Sequence, residues 1–403
     1  MLDFIDLSSE KLLARGVCLC EALHDHPEPS GEEVWTTEMI AAECKLLGLE
    51  LLPVRTQTGV VARLRGSGKH AVALRADIDA VTLEFPLRRP FGKAAHTCGH
   101  DCHTAALLCA AELLAGLPIE QRRNDVYFIF QPAEETLKGA AQLLNGGLRT
   151  AFDKPLTAVY GLHNRPETDA RNIVAEVGAR MASKLDFEIT VLGTGGHGGE
   201  PQLCRDPIVA SAQIVNAAQT IVSRSTAPQD ACVLSFCCVN GGSPLNFAPT
   251  SVTLTGSIRA LDREVQQAAY DKLVETAEGV AALNGCTARI QRTAEVPVTY
   301  CDGKLHDKAL RAARKTIEAL GGSLVSLPPA MGADDFALYS ELAPTYYFWV
   351  GSGKADGSSL PWHDRMFEAD SAFLPSAALL YAYSALECDE AESEPAKAAP
   401  AMR

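Results

Sequence analysis

The sequence has no surplus of basic residues and no long apolar run. Its 36 Lys and Arg residues face 50 Asp and Glu residues, which leaves a formal net charge of −14 at pH 7. A surface of that sign repels phosphate backbones and anionic lipid, so we expect neither nucleic acid nor a membrane as a partner. No uninterrupted apolar stretch reaches the roughly 18 residues of a membrane helix, and the N-terminus lacks the pattern of a secretory signal. These absences predict a cytoplasmic protein.

The composition is that of a folded chain. Hydrophobic residues make up 47% of the sequence and charged residues 21%, which excludes collagen, coiled coil and general disorder. A length of 403 residues exceeds one ordinary core and indicates two or three domains. The 13 cysteines are scattered and odd in number. In a reducing cytoplasm we interpret them as small buried hydrophobes, with Cys98 as the exception.

Strands alternate with helices along residues 1–179. Apolar runs predict strands and helical periodicity predicts helices, the strands at 59–66, 70–77, 126–131 and 158–163 and the helices at 11–27, 32–48, 103–116 and 136–147. Ser30 is predicted to cap the second helix, because Glu33 follows three residues later. This alternation predicts an α/β fold with a mostly parallel sheet and helices on both faces. Such sheets bind ligands at the carboxyl ends of their strands.

The pattern changes near residue 180. Residues 180–294 follow the order βαββαβ, which is typical of a ferredoxin-like α+β domain, and we interpret this domain as an insertion. The chain returns to helix and strand units at 295–386, which we expect to rejoin the first sheet. Residues 387–403 lack aromatic and β-branched residues, so we expect a disordered tail.

The segment from His96 to His103, HTCGHDCH, contains six potential ligands directly before a predicted helix. Packing alone does not explain such a density, because each buried polar group would need a partner. The N-terminus of a helix favours the thiolate form of Cys98, and both Cys98 and His100 can turn toward one ion. We interpret the segment as a metal site, with a cysteine nucleophile or a plain polar loop as alternatives.

Two adjacent carboxylates follow the predicted strand 126–131. Side chains that diverge at a strand end would let one of Glu134 and Glu135 bind a metal while the other faces a water on that metal. Metal-assisted hydrolysis requires this division of labour. Taken alone, the pair is better explained as the acidic start of a helix.

Further candidates follow other strands. Asp77 and Asp79 lie at the end of strand 70–77, as site residues or as solvated turn residues. His163 ends strand 158–163, and His363 lies in a loop rich in Gly and Pro. Five side chains then offer metal ligands, which are too many for one tetrahedral zinc ion and suit a two-metal site: Cys98, His100, Glu135, His163 and His363.

Eight ordered motifs over residues 20–385 resemble those of the aminoacylase-type di-metal peptidase family, in the branch that contains hippurate hydrolase, N-acetyl-amino-acid deacetylase and the auxin-conjugate amidohydrolases. The motifs are RADIDAV, HTCGHDCHTAALL, FQPAEE with KGA, GLHNRPE, GGHGGEP with CRDPI, GGSPLNFAP with GSIRALD, MGADDFALY and LPWHDRMFEAD. The opening LHDHPEPSGEE is similar to a further block of that branch.

The resemblance implies a role for each matching residue. Glu134 matches the general base, Asp77 matches an aspartate that orients a ligand, and Cys98 matches a ligand that bridges the two ions. The inserted domain matches a lid and dimerisation domain. Its His197 matches a histidine that stabilises the oxyanion, often in the partner subunit's active site. The remaining matches are to substrate-binding residues, Asn246 and Arg259, and to the other metal ligands, His100, Glu135, His163 and His363.

The resemblance thus implies a metal-dependent amidohydrolase that cleaves N-acyl amino acids, with two divalent ions of Zn or Mn, or of Co, and a homodimer or higher homo-oligomer. A metallo-dipeptidase, an N-acyl-diaminopimelate deacetylase, a non-catalytic conjugate-binding protein and a thiol enzyme are the alternatives. The sequence departs from the family pattern at a few positions. Arg75 replaces a metal-binding His of the wider family, and Cys102 replaces the usual Gly of this branch. The other departures are Gly199, Glu200 and Asp334.

Overall fold

The computed structural model describes residues 9–82, 94–243 and 245–387. The α-helices in these ranges are α1 Ser9–His24, α2 Val34–Leu46, α3 His100–Ala115, α4 Gly139–Asn145, α5 Pro207–Thr220, α6 Arg263–Leu283, α7 His306–Leu320 and α8 Phe373–Leu386. The strands are β1 Glu50–Leu51, β2 Val60–Leu64, β3 His70–Asp77, β4 Val81–Thr82, β5 Ala94–Ala95, β6 Asn124–Gln131, β7 Leu156–Asp169, β8 Ile173–Val174, β9 Gly178–Met181, β10 Ser183–Leu192, β11 Gly196–His197, β12 Cys232–Gly241, β13 Phe247–Ala248, β14 Ser251–Ala260, β15 Thr287–Val296, β16 Thr299–Cys301 and β17 Thr345–Gly353.

The chain divides into two compact units. The described part of the first lies within residues 1–178, 300–327 and 338–403, and the second comprises residues 179–299 and 328–337. The sequence had suggested residues 295–386 as one continuous segment of the first domain. The short segment 328–337 instead packs with the second unit.

A seven-stranded mixed sheet forms the centre of the first unit, in the order β1-β2-β6-β3-β7-β17-β8. The four central strands, β6, β3, β7 and β17, run parallel, and the pairs toward both edges are antiparallel. Along β3, β6 and β17 nearly every residue is buried. Since successive side chains point to opposite faces, both faces of the sheet are covered. The predicted α/β fold with a mostly parallel centre is confirmed.

The second unit contains a four-stranded antiparallel sheet in the order β12-β14-β10-β15. Burial alternates residue by residue along β10, so one face of the sheet packs into a core and the other does not. Side chains from α5 and α6, such as Ile214 and Leu273, join Phe187 and Ile189 of β10 in that core. The element order β10-α5-β12-β14-α6-β15 is the βαββαβ order expected from the sequence.

The predicted capping box at Ser30 and Glu33 is wrong. Helix α2 begins at Val34, and its N-cap residue Glu33 makes no side-chain capping bond. The Ser30 hydroxyl donates instead to Oδ2 of Asp79 at 2.6 Å. Oε1 of Glu33 accepts the backbone N–H of Ala133 at 2.8 Å. Tertiary partners therefore use both side chains, and these partners lie beside the candidate site rather than at the helix end.

Helix α4 is also shorter than the predicted helix 136–147. Leu137 has a φ of +54°, outside the helical region, so the helix starts only at Gly139. Most of the predicted disordered tail, residues 388–403, lies outside the described residues. Within the described residues, no helix combines the length and apolarity that crossing a membrane demands.

Candidate metal centre

The candidate residues of the first unit gather where parallel strands end. Asp77, the last residue of β3, is in register with Gln131, the last residue of β6. His163 lies within the neighbouring strand β7. Because parallel strands present their carboxyl ends at one edge of a sheet, the loops that follow β3 and β6 lie close to His163.

Cys98 belongs to two groups of potential ligands. One group contains Cys98, His100 and His163, and the other contains Cys98, Glu135 and His363. Within each group the three ligand atoms all lie within 4.8 Å of one another. The structure thus brings together all five side chains that were predicted from the sequence as ligands. The two groups share one sulfur and together offer the number of ligands that a two-metal site needs.

A left-handed glycine positions the first of these ligands. Gly99 precedes α3 with a φ of +87°, a conformation that glycine adopts without steric cost. A Cβ at this position would lie 2.5 Å from Nδ2 of Asn164, and that same amide donates to the carbonyl of Cys98 at 2.5 Å. The turn leaves Cys98 and His100 on the same side of the loop. His363 also has a positive φ, of +65°, and its N–H donates to Thr97 O at 2.8 Å.

Backbone carbonyls orient two of the histidines. Nδ1 of His100 lies 2.9 Å from the carbonyl oxygen of Asp79, and Nδ1 of His163 lies 2.9 Å from that of Asn164. Each contact assigns the proton to Nδ1 and leaves Nε2 as the ligand atom. Nε2 of His163 then lies 3.5 Å from the Cys98 sulfur.

Two buried atoms of the five candidate ligands have no hydrogen-bond partner. They are Nε2 of His100 and Oε1 of Glu135, which lie 3.8 Å apart. Leaving such atoms unsatisfied costs about 1–3 kcal/mol each, so a buried pair of this kind needs a further partner. A cation bound between an imidazole nitrogen and a carboxylate oxygen satisfies both. The residues present therefore fit a divalent metal.

The pKa values of the centre indicate that its acidic surroundings favour a positive charge at His363. Hydrogen bonds to Cys98 and Glu135 raise the pKa of His363 to about 10, so without a metal the ring acts as the cation there. Burial lowers the pKa of His163 well below its usual value, which keeps its ring neutral, as ligation requires. Burial raises the pKa of Cys98. A bound cation would reverse that shift, because it favours the thiolate.

The two adjacent glutamates have different neighbours. Glu135 lies between the two ligand groups, with Oε2 3.5 Å from Nε2 of His363 and Oε1 3.8 Å from Nε2 of His100. Its backbone N–H donates to Oδ2 of Asp79 at 3.0 Å, which fixes the start of the loop. Oε2 of Glu134 lies 3.9 Å from Nε2 of His100, and ligand atoms of His100, Glu134 and Glu135 all lie within 4.8 Å of one another. Glu135 thus contacts potential ligands of both groups, and the Glu134 carboxylate lies beside them.

A buried chain of hydrogen-bonded polar groups supports the centre, and the links between these groups were not predicted from the sequence. Arg75 donates to Oδ2 of Asp77 at 2.8 Å, and Oδ1 of Asp77 lies 2.6 Å from Nδ1 of His103. Nε2 of His103 accepts the backbone N–H of Asn164 at 3.1 Å. Both nitrogens of His103 are thus occupied, which leaves it no lone pair for a metal. Burial opposes the ionisation of Asp77, yet the charges of His100 and Arg75 hold its pKa well below the usual range.

Asp77 thus contacts His103 directly, and its Oδ2 lies 3.7 Å from Nε2 of the ligand His100, while the polar contacts of Nδ1 on His100 are with Asp79. The sequence contains part of the information that predicts this chain of hydrogen bonds. Alternation along β3 places Arg75 and Asp77 on one face of the strand, as the spacing of two predicts. Their link to His103 depends on how α3 packs on β3.

The other three predicted residues lie in the second unit. His197 is on β11, which pairs with β13, and Asn246 directly precedes β13. The Asn246 carbonyl accepts the N–H of Gly198 at 2.7 Å, so the structure brings His197 and Asn246 into one neighbourhood. Nδ1 of His197 accepts the N–H of Gly199 at 3.0 Å, which leaves Nε2 as the donor. Arg259 lies near the far end of β14, eight residues beyond the start of that strand, or about 26 Å along it. Its guanidinium donates to the Met331 carbonyl at 3.0 Å.

Comparisons with known proteins identify the family. The model of peptidase family M20/M25/M40 matches residues 73–385. N-acetylcysteine deacetylase of Bacillus subtilis is 35% identical over 89% of this chain and 93% of its own length, and hippurate hydrolase of Campylobacter jejuni is 32% identical over 89% and 94%. A crystal structure of a dinuclear metal binding peptidase of the M20 family from Bacillus subtilis has a TM-score of 0.79 and 31% identity, covering 94% of this chain and 98% of that one. The resemblance identified from the motifs is confirmed: the chain belongs to peptidase family M20/M25/M40.

Proposed function

We propose that this chain is a metal-dependent amidohydrolase that cleaves the amide bond of N-acyl amino acids. The observation that carries the proposal is the pair of ligand groups that share Cys98, with the Glu134 carboxylate beside them. The names of the relatives support the substrate class, since two of them act on N-acetylcysteine and on hippurate, both of which are N-acyl amino acids.

Two divalent cations would be held by the five ligands, one by each group, with Cys98 between them. A sulfur, three imidazoles and a carboxylate favour Zn, and sites of mixed nitrogen and oxygen ligands also accept Mn or Co. Bound cations supply Lewis acidity, which polarises a carbonyl and lowers the pKa of water. Glu134 accepts a proton from the attacking water at its carboxylate and returns it to the leaving amine.

We assign the substrate contacts to the second unit. His197 donates from Nε2 to the developing oxyanion in the partner subunit's active site, because its Nδ1 is occupied by the N–H of Gly199 and Arg259 of its own chain lies near the far end of β14. Arg259 holds the substrate carboxylate with the donors that Met331 does not use, and Asn246, which lies beside His197, contacts the same substrate as His197. Local positive charge of this kind is needed, since a net charge of −14 repels an anionic substrate.

We further propose a homodimer formed through the second unit, in the cytoplasm. Strand β12 lies at the edge of its sheet, and Val233 and Val239 along it are 36% and 64% exposed. An exposed apolar edge strand is a template for pairing with a second copy of the chain. The cytoplasmic assignment rests on cysteine usage, because every cysteine that the structure describes is free. Light scattering at several concentrations tests the dimer.

A substrate panel tests the function. The Zn- or Mn-loaded protein is incubated with hippurate, acetyl-, indole-acetyl- and long-chain acyl-amino acids, and with dipeptides, and the free amino acid released is measured. We expect turnover of at least one N-acyl class, abolished by a chelator and restored by the metal. Hydrolysis of dipeptides alone would assign the runner-up, a metallo-dipeptidase. No hydrolysis of any compound by metal-loaded protein would contradict the proposal.

A further inference from the structure

A second cluster of sulfur, imidazole and carboxylate groups lies beside a cavity of about 530 Å³ in the first unit. The cavity is lined by α1, by the loop before α3 with the first turn of that helix, and by residues just before and within α8. None of the five ligands of the candidate metal centre lines it. The lining residues that matter here are Cys20, His24, His96, Asp101, Cys102 and Glu368.

Two thiols face each other in this cluster. The sulfurs of Cys20 and Cys102 lie 3.0 Å apart, although the residues are 82 positions apart in the chain. Both sulfurs and a carboxylate oxygen of Asp101 lie within 4.8 Å of one another. Two thiols and a carboxylate within this distance can share a single ion, and a thiol pair selects soft or borderline cations over Mg²⁺ and Ca²⁺.

His96 provides an independent observation at the same place. It lines the cavity and is only 3% exposed, and neither of its ring nitrogens has a hydrogen-bond partner. A buried imidazole with both nitrogens unsatisfied is costly, so this ring calls for a ligand in the cavity.

The electrostatics of the cavity also favour a cation. Four carboxylates line it, against a single additional histidine beside His96. That histidine, His24, lies with Nδ1 2.7 Å from Oδ2 of Asp101, while the backbone N–H of Cys102 donates to Oδ1 at 2.9 Å. These contacts fix the orientation of the Asp101 carboxylate, and each oxygen keeps a second lone pair. The carboxylates are Glu21, Asp25, Asp101 and Glu368.

We propose that Cys20, Cys102, Asp101 and His96 form a third cation site, for a thiophilic divalent ion of the Zn²⁺ type, separate from the two ions of the hydrolytic centre. Zinc–sulfur bonds of about 2.3 Å at a tetrahedral angle place two sulfurs about 3.8 Å apart, so the two side chains need to separate by less than about 1 Å. The ion replaces the two thiol protons, which pass to solvent. It ties α1 to the first turn of α3, the helix that carries His100.

Zinc counting tests the proposal on the whole protein. Wild type, the double variant Cys20→Ser/Cys102→Ser and the control Cys109→Ser are loaded with Zn²⁺ under a non-chelating reductant, desalted and analysed by mass spectrometry for zinc per chain. Cys109 is a buried thiol on the same helix and outside the cluster, so it controls for the loss of a buried sulfur. We expect the double variant to hold one zinc ion fewer per chain than wild type, and the control to hold the same number.

A second readout needs no variant at Cys20 and does not depend on how well the double variant folds. Maleimide labelling of the wild type, mapped by peptide, should show Cys20 protected by Zn²⁺, and His96→Gln should weaken that protection at least tenfold in zinc concentration. Equal zinc content in wild type and double variant, or labelling of Cys20 at the same rate with and without Zn²⁺, would overturn the site. A Cys20–Cys102 disulfide in reduced, zinc-loaded protein with no additional zinc would also overturn it. Neither readout uses turnover, so failure of the proposed hydrolase activity leaves this result independent.

Discussion

Replacing Glu134 and Glu135 in turn with glutamine distinguishes the proposed general base from the proposed metal ligand. Glutamine keeps the shape of the side chain but removes its negative charge and its ability to accept a proton. Oε2 of Glu134 lies 3.9 Å from Nε2 of one ligand, His100, whereas Glu135 lies within 3.8 Å of ligands from both groups. The two substitutions should therefore affect different properties of the enzyme.

The expected magnitudes follow from these positions. General base catalysis contributes about 10²–10⁴-fold in rate, so Glu134→Gln should lower kcat by that factor, or about 2.7–5.4 kcal/mol of barrier, with KM nearly unchanged. Glu135→Gln removes a direct ligand. Loss of a residue that only supports a ligand typically lowers metal affinity by roughly 10–100-fold. The metal affinity of the Glu135→Gln variant should fall by at least that factor.

The assay measures kcat, KM and bound metal for each variant on the best substrate of the panel. Glu134→Gln should retain the metal content of wild type and lose turnover, and excess metal should not rescue it. Glu135→Gln should lose metal on desalting and regain part of its turnover when metal is added. Turnover of Glu134→Gln within twofold of wild type, or equal metal loss in the two variants, would refute the assigned roles.

Three further predictions concern the support of the site and the buried thiols. Asp77→Asn leaves the buried guanidinium of Arg75 without its counter-charge, so urea unfolding should show a loss of about 3–5 kcal/mol, and a loss under about 1 kcal/mol would contradict the buried pair. Gly99→Ala places a Cβ on a residue with a φ of +87° and against Asn164. This should lower stability by about 1–3 kcal/mol and kcat/KM on the order of 100-fold. Unchanged kinetics would contradict the role of Gly99 in positioning the ligands. Burial raises the pKa of Cys44 from 9.0 to about 12. At pH 8 the ionised fraction of this thiol is therefore about 10⁻⁴ in the folded protein, against about 0.1 at the unshifted pKa. Its alkylation, measured by mass spectrometry, should be far slower in native protein than in urea. Alkylation of this thiol at the native rate of the exposed ones would contradict its burial, the exposed ones being Cys18, Cys237 and Cys238.

The elements and ligands that local pattern specifies were predictable. Strand β3 ends at Asp77 as its apolar run predicts, and the loop at Cys98 and His100 precedes α3 as expected. Such features depend on hydrophobic periodicity and on short-range spacing, which a single sequence contains. Periodicity also predicted the βαββαβ order of the second unit.

Features that depend on packing between distant segments were not predictable. Ser30 and Glu33 have the spacing of a capping box, but Asp79 and Ala133 compete for their side chains, and the tertiary contacts prevail. The contact between Cys20 and Cys102 likewise exists only because α1 packs on α3. Departures of this kind from local rules occur where a fold supports a functional site.

Anomalous scattering from crystals of the zinc-loaded protein tests the two-metal centre most directly. Two anomalous peaks should lie about 3.5–4 Å apart, with the sulfur of Cys98 between them, one peak next to His100 and His163 and the other next to Glu135 and His363. A single peak, or none, among these five side chains in fully loaded protein would contradict the account.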